Sequence, residues 1–331
     1  MATARIDYLD VAKFIGLLLV CFCHIPMPEG NFHVWVYSFH MPLFFIISGI
    51  FFSPDKFGVR KSASQLLAPF VIFNLIACVI SIFIGAAVSG ELKFPKVTSD
   101  VILQSKYIIG PSWFLISLFV LRVYCGLVLK YLNNLCLVIS AVLIMLIFCI
   151  TSHNECWYVL SLGSTVLGLP FYLFGYYFKG IFTEEKLIDR WWLPIATLGL
   201  SIPTLYNGQV NIYSSDFGQN IALFLIFGII GSLFIVALSR HVRFPKKILS
   251  VFMDGALFII CFHTLIFEYL ILIWNKLTND FSGNTIPEKI VFTALTFIVS
   301  YPLILLMLRY TPFLLGKKSK PNLKSNVAVG K

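Results

Sequence analysis

Ten stretches of about 15 to 25 mostly apolar residues follow one another along this 331-residue chain, at 9–27, 32–52, 66–89, 112–129, 135–151, 158–178, 192–206, 218–238, 255–275 and 289–310. A helix needs roughly 20 such residues to cross the hydrocarbon core of a bilayer. The pattern therefore predicts an all-α polytopic membrane protein, a bundle of about ten transmembrane helices. The stretch at 192–206 is the weakest, being short and interrupted by Pro194 and Pro203. Composition agrees: 59% of residues are hydrophobic and 12% charged, against about 25% charged in soluble domains. A cytosolic enzyme, a secreted disulfide scaffold and a disordered regulator are excluded.

The net charge of +10 reads as topology rather than nucleic-acid binding, because the basic residues lie between the apolar runs. With both termini in the cytoplasm and ten crossings, 19 of the 25 Lys and Arg fall inside. Lys93, Lys96, Lys106, Lys276 and Lys289 fall outside, and Arg122 lies within a helix. An odd number of crossings scrambles this split. Seven of the eight cysteines sit inside apolar runs without metal-site spacing, so no disulfide framework or metal site is expected. The first run holds His24, lacks a small-residue cleavage site and is read as retained. Residues 1–316 read as one transmembrane domain, and 317–331 as a Lys-rich cytoplasmic tail predicted to be disordered.

Ionisable groups at membrane depth are costly, so each is a functional hypothesis by default. The first helix carries Asp7, Asp10, Lys13 and His24. Lys13 and His24 are 11 residues apart, close to three turns, which puts them on one face about 16 Å apart along the axis. A ligand touching both is long, anionic at the cytoplasmic end and reactive at the other, and coenzyme A thioesters have that shape. Plainer readings stand beside this one: Lys13 snorkelling to the headgroups, His24 capping the helix at the outer interface. Asp10 either pairs with Lys13 on the helix surface or orients Lys13 or a neighbouring cation.

The second run reads Ser38-Phe39-His40-Met41-Pro42-Leu43-Phe44-Phe45-Ile46-Ile47-Ser48-Gly49. Pro42 predicts a kink, which frees backbone carbonyls for a histidine or water to satisfy. Arg60 and Lys61 follow in a basic loop, and Trp113 opens the fourth run where aromatic-belt residues are common. Arg122, His263 and Glu268 are further ionisable groups inside apolar runs, those in the ninth suggesting a cavity lining.

Arg5-Ile6-Asp7-Tyr8-Leu9-Asp10-Val11-Ala12-Lys13 followed by His24, and the Ser38–Gly49 element, resemble the opening of the acyltransferase 3 family. Trp113-Phe114-Leu115, the basic loop leading to Leu66-Leu67-Ala68-Pro69-Phe70, and Phe262-His263 fit its order, so the resemblance spans about residues 5–310. It implies a ten-helix enzyme of the bacterial inner membrane that moves an acyl group, usually acetyl from acetyl-CoA, onto a carbohydrate hydroxyl of the envelope. His24 is then the catalytic histidine. Lys13 stands where many members have arginine, and keeps the charge without the bidentate fork. Gln65 stands where a basic residue is common.

From these residues the expected mechanism has His24, with Asp10, as the catalytic set. Lys13, Arg60, Lys61 and Arg122 would hold the coenzyme A phosphates, and His40, Trp113, His263 and Glu268 would bind or orient the acceptor. Acyl-CoA enters as a co-substrate, with no permanently bound cofactor. Neutral imidazole is matched to taking the hydroxyl proton, an effect typically worth 10²–10⁴-fold. An acyl-histidine relay is the variant route. The competing class is an exporter or flippase for envelope polysaccharide, for which the internal repeats typical of transporters are not found.

Overall fold

The computed structural model describes residues 7–26, 30–89, 109–152, 154–183, 188–278 and 285–317. The predicted disordered tail lies outside the described residues apart from Lys317, as do Arg5, Lys93, Lys96 and Lys106 of the sequence reading. The described chain folds into α1 (Asp7–His24), α2 (Asn31–Tyr37), α3 (His40–Ile50), α4 (Val59–Ser89), α5 (Trp113–Tyr131), α6 (Asn134–Thr151), α7 (Leu162–Tyr177), α8 (Lys179–Thr183), α9 (Leu193–Ser201), α10 (Ile221–Ser239), α11 (Lys246–Asp254), α12 (Ala256–Thr278) and α13 (Ile286–Tyr310), with short 3₁₀ turns between them. Among the described residues there is no β-sheet, only an isolated antiparallel bridge between Asn211 and Asp216.

Eight helical segments among the described residues are long and apolar enough to cross a membrane, α2 and α3 together forming one of them. The other two predicted spans are α1 and the α9 region. α1 has 18 residues but carries Asp7, Asp10 and Lys13 in its first two turns. The α9 region is broken into Leu193–Ser201 and a 3₁₀ turn over Ile202–Asn207, with a proline near the start of each piece. Proline has no N–H to give to the preceding turn, so the helix ends where Pro203 enters.

α1 lies at the centre, packed by α3, α10, α11, α12 and α13. α6 lies at the periphery: it buries Leu137, Ala141 and Phe148, while Val142, Leu146, Ile147 and Ile150 stand exposed. An apolar face of this extent is the side presented to lipid. α3 and α7 touch backbone to backbone through paired glycines. A Cβ on Gly49 would sit 2.0 Å from the Tyr172 carbonyl oxygen, and one on Gly175 would sit 2.0 Å from that of Ile46. Small residues permit this approach where lipid supplies no hydrophobic drive between helices.

Two element starts differ from the sequence reading, for local reasons. α4 begins at Val59, so Arg60 and Lys61 belong to its first turn rather than to a loop. α13 begins at Ile286 because Thr285 and Glu288 close a reciprocal capping box, with a proline in the first turn. Lys289, expected in an outer loop, is thereby turned inward, 4% exposed, with its ammonium 5.3 Å from the centre of the Phe22 ring.

Candidate active site

Three helices each bring one histidine to a shared point. His24 ends α1, His40 begins α3, and His263 stands in the first half of α12. The His24 ring centroid lies 5.0 Å from that of His263 and 6.3 Å from that of His40. Each imidazole makes the same kind of bond. Nδ1 donates to the backbone carbonyl of Val20 at 2.8 Å in His24, and of Val36 at 3.1 Å in His40. In His263 it reaches the carbonyls of Ile259 and Ile260 at 2.9 and 3.0 Å. A carbonyl oxygen only accepts, so the proton sits on Nδ1 and each neutral ring keeps its lone pair on Nε2.

The local chain explains two of these placements. Pro42 cannot donate to the carbonyl of Ser38, and the predicted 32–52 helix breaks at Ser38 and Phe39, upstream of the proline rather than at it. The break leaves the Val36 carbonyl to the Phe39 N–H, at 3.1 Å, and to the His40 imidazole. His263 is fully buried, and its Nε2 has no hydrogen-bond partner among the described residues. A buried acceptor without a donor is costly in a finished core, and a ligand that donates a hydrogen bond in the cavity would satisfy it.

The histidines line a cavity of about 380 Å³. Trp113, from the first turn of α5, forms one wall, and Glu268 lies at the exposed rim. All four residues expected to meet the acceptor (His40, Trp113, His263 and Glu268) are thus brought together with His24. The arrangement offers imidazole lone pairs in a partly apolar recess, groups able to take a proton from a hydroxyl. Among the described residues no cluster of His, Cys, Asp and Glu has the makings of a metal site.

The expected phosphate-binding residues are not gathered in this way. Lys13 is half-buried, pairs with Asp10 at 3.2 Å and lies 4.8 Å over the Phe51 ring. Arg122, near the middle of α5, donates to the Gln65 side chain at 3.4 Å and so ties α5 to α4. Arg60 and Lys61 stand exposed on α4. Asp10, expected among the catalytic residues, lies 14 residues from His24, about 21 Å along the helix. Its partner is Lys13, and it has no place in the histidine cluster.

Further residues surround the histidines, most of them given no role in the sequence analysis. The Tyr37 ring lies tilted against His40, centroids 4.7 Å apart, and its centroid is 3.9 Å from that of His33. Gln209 donates to His33 Nδ1 at 3.2 Å. The 207–220 segment supplies Asn211 and Tyr213 to the cavity wall. It is held by paired backbone bonds between Asn211 and Asp216, both 2.9 Å, and by the Asn207 side chain, which bonds Phe217 and Asn220. Its signal was its amide-rich composition in a connection otherwise read as a plain loop.

A family model described as an acyltransferase domain matches residues 6–305. No curated protein and no solved structure gives a significant match.

Proposed function

The chain belongs to this acyltransferase family and is a multi-pass membrane acyltransferase, and from that premise we propose that it moves an acyl group, most simply acetyl from acetyl-CoA, onto a carbohydrate hydroxyl of the bacterial envelope. One observation carries the reading: His24 presents a basic Nε2 to a cavity it shares with His40 and His263. Residues 1–316 act as one catalytic unit in the inner membrane, with ten crossings and both termini cytoplasmic.

The donor enters at the N-terminal end of α1, where Lys13, paired with Asp10, supplies a point charge toward its phosphates, with Arg60, Lys61 and Arg122 as further cations. The acceptor hydroxyl enters the cavity and donates to His24 Nε2. As its oxygen attacks the thioester carbonyl, the proton passes to the imidazole, the C–O bond forms and the C–S bond breaks. The proton then leaves with the coenzyme A thiolate as the free thiol, and the histidine returns neutral. His263 and His40 supply acceptor lone pairs for neighbouring hydroxyls, Trp113 and Tyr213 give aromatic faces for a sugar ring, and Glu268 sits where a hydroxyl enters.

The test is the purified protein in lipid nanodiscs with [¹⁴C]acetyl-CoA and envelope glycan. Label on the glycan together with stoichiometric free thiol supports the reading. Glycan movement across a vesicle membrane with no thiol release rejects it in favour of an exporter.

A further inference from the structure

A second concavity lies at the opposite end of α1 from the histidines, an open basin of about 1060 Å³. Ligand sites commonly hold about 300–1,000 Å³, so it stands at the upper edge of that range. Its walls are the first turn of α1, Thr183 of α8, and the α10–α11 connection with the start of α11. Four cations line it (Arg240, Arg243, Lys246 and Lys247) against two carboxylates, Asp7 and Asp10.

The charges do not cancel. Arg240 is paired with Asp189 and covers the Tyr8 ring at 4.4 Å, and Lys246 bonds Asp7 at 3.1 Å. Asp10 is bonded to Lys13 at 3.2 Å. Arg243 and Lys247 have no carboxylate within ion-pair distance among the described residues, and both are exposed to the basin. α11 also starts without a side-chain cap, from Pro245, which adds unfilled backbone N–H groups to the same wall. Two uncompensated cations on a concave wall match one doubly charged phosphate, and Arg243 brings the planar donor fork that phosphate oxygens fit.

We infer that this basin is a phosphate-binding site, its ligand the phosphate head of a nucleotide-tailed donor or of an anionic lipid. The site goes beyond the acyl-transfer reading and stands on its own geometry; only the donor identity rests on that reading. It is joined to the histidine cavity by one stripe of α1: Asp10 lines the basin, Val20 and His24 line the cavity, and Lys13 and Leu17 lie between at helical spacing. Leu17, between them on this stripe, is fully buried.

The test uses full-length protein in phosphatidylcholine nanodiscs titrated with adenosine 3′,5′-bisphosphate by calorimetry. A parallel sample is enriched in phosphatidylglycerol and read by native mass spectrometry. The variant is R243Q/K247Q, and K130Q/K276Q removes equal charge elsewhere as the control. A tenfold or greater loss of nucleotide affinity in R243Q/K247Q alone supports the site with the donor as its source. Retained phosphatidylglycerol in the wild type, lost only in R243Q/K247Q and without nucleotide binding, supports the site with lipid as its source. Equal behaviour of wild type and R243Q/K247Q in both arms, with thermal melts unchanged, overturns it. Nucleotide binding that depends on Arg243 and Lys247 in a protein that transfers no acetyl group rejects the acyl-transfer reading and leaves the site standing.

Discussion

His24 and His263 meet edge to face, their ring planes 84° apart and centroids 5.0 Å apart, on helices that are distant in sequence. Both hold Nδ1 against a backbone carbonyl, which leaves each Nε2 as the acceptor, and that of His263 has no partner among the described residues.

Replacing His24 by Ala removes the proposed base and is expected to lower acetyl transfer by about 10²–10⁴-fold, with donor affinity unchanged. Paired turnover and binding measurements on one preparation check this. A proportionate loss of binding would assign His24 to holding the donor instead.

In the proposed mechanism His263 holds a hydroxyl of the acceptor. His263→Phe is expected to raise the acceptor KM and to lower kcat about tenfold or more, whereas His263→Asn, which retains an acceptor atom, recovers part of the loss. Melting temperature and the donor KM should stay near wild type in both. Equal kinetics for the two variants would mean that the Nε2 lone pair is not used.

Lys13→Ala is expected to weaken donor binding with kcat little affected at saturation, and Lys13→Arg to bind at least as well as wild type, since the guanidinium adds a bidentate fork. A titration of desulfo-coenzyme A separates the two. Unchanged affinity in Lys13→Ala would confine Lys13 to its contacts with Asp10 and Phe51.

Gly49→Ala tests the backbone contact between α3 and α7. In an open helix the change is favourable by roughly 0.5–1 kcal/mol. Here the new methyl meets the Tyr172 carbonyl oxygen at 2.0 Å, so the helices must part, and overpacking of this kind costs about 1–3 kcal/mol. Thermal unfolding in detergent should show a lower midpoint, with the histidine cavity disturbed because α3 carries His40. A midpoint at or above wild type would mean that the interface yields freely.

The chain announced its bundle because spanning runs are dictated by bilayer thickness, and it announced His24, His40 and His263 because ionisable groups in such runs need a reason. Their convergence was not legible, since it depends on how α1, α3 and α12 pack. Pro42 signalled a break, but the missing N–H acts on the preceding turn, so the break fell at Ser38 and Phe39. Arg243 and Lys247 were hidden by the topology rule itself, which accounts for any basic residue in a short cytoplasmic loop. Asp10 pairs with Lys13 at 3.2 Å, one of the readings the sequence offered, and lies about 21 Å along α1 from His24.

The most direct test of the central claim is single-turnover transfer of [¹⁴C]acetyl from acetyl-CoA by wild type and His24→Ala at saturating donor in nanodiscs. The account predicts label on the glycan and free thiol with the wild type, and neither above background with His24→Ala despite full donor occupancy. Transfer at the wild-type rate by His24→Ala would contradict it.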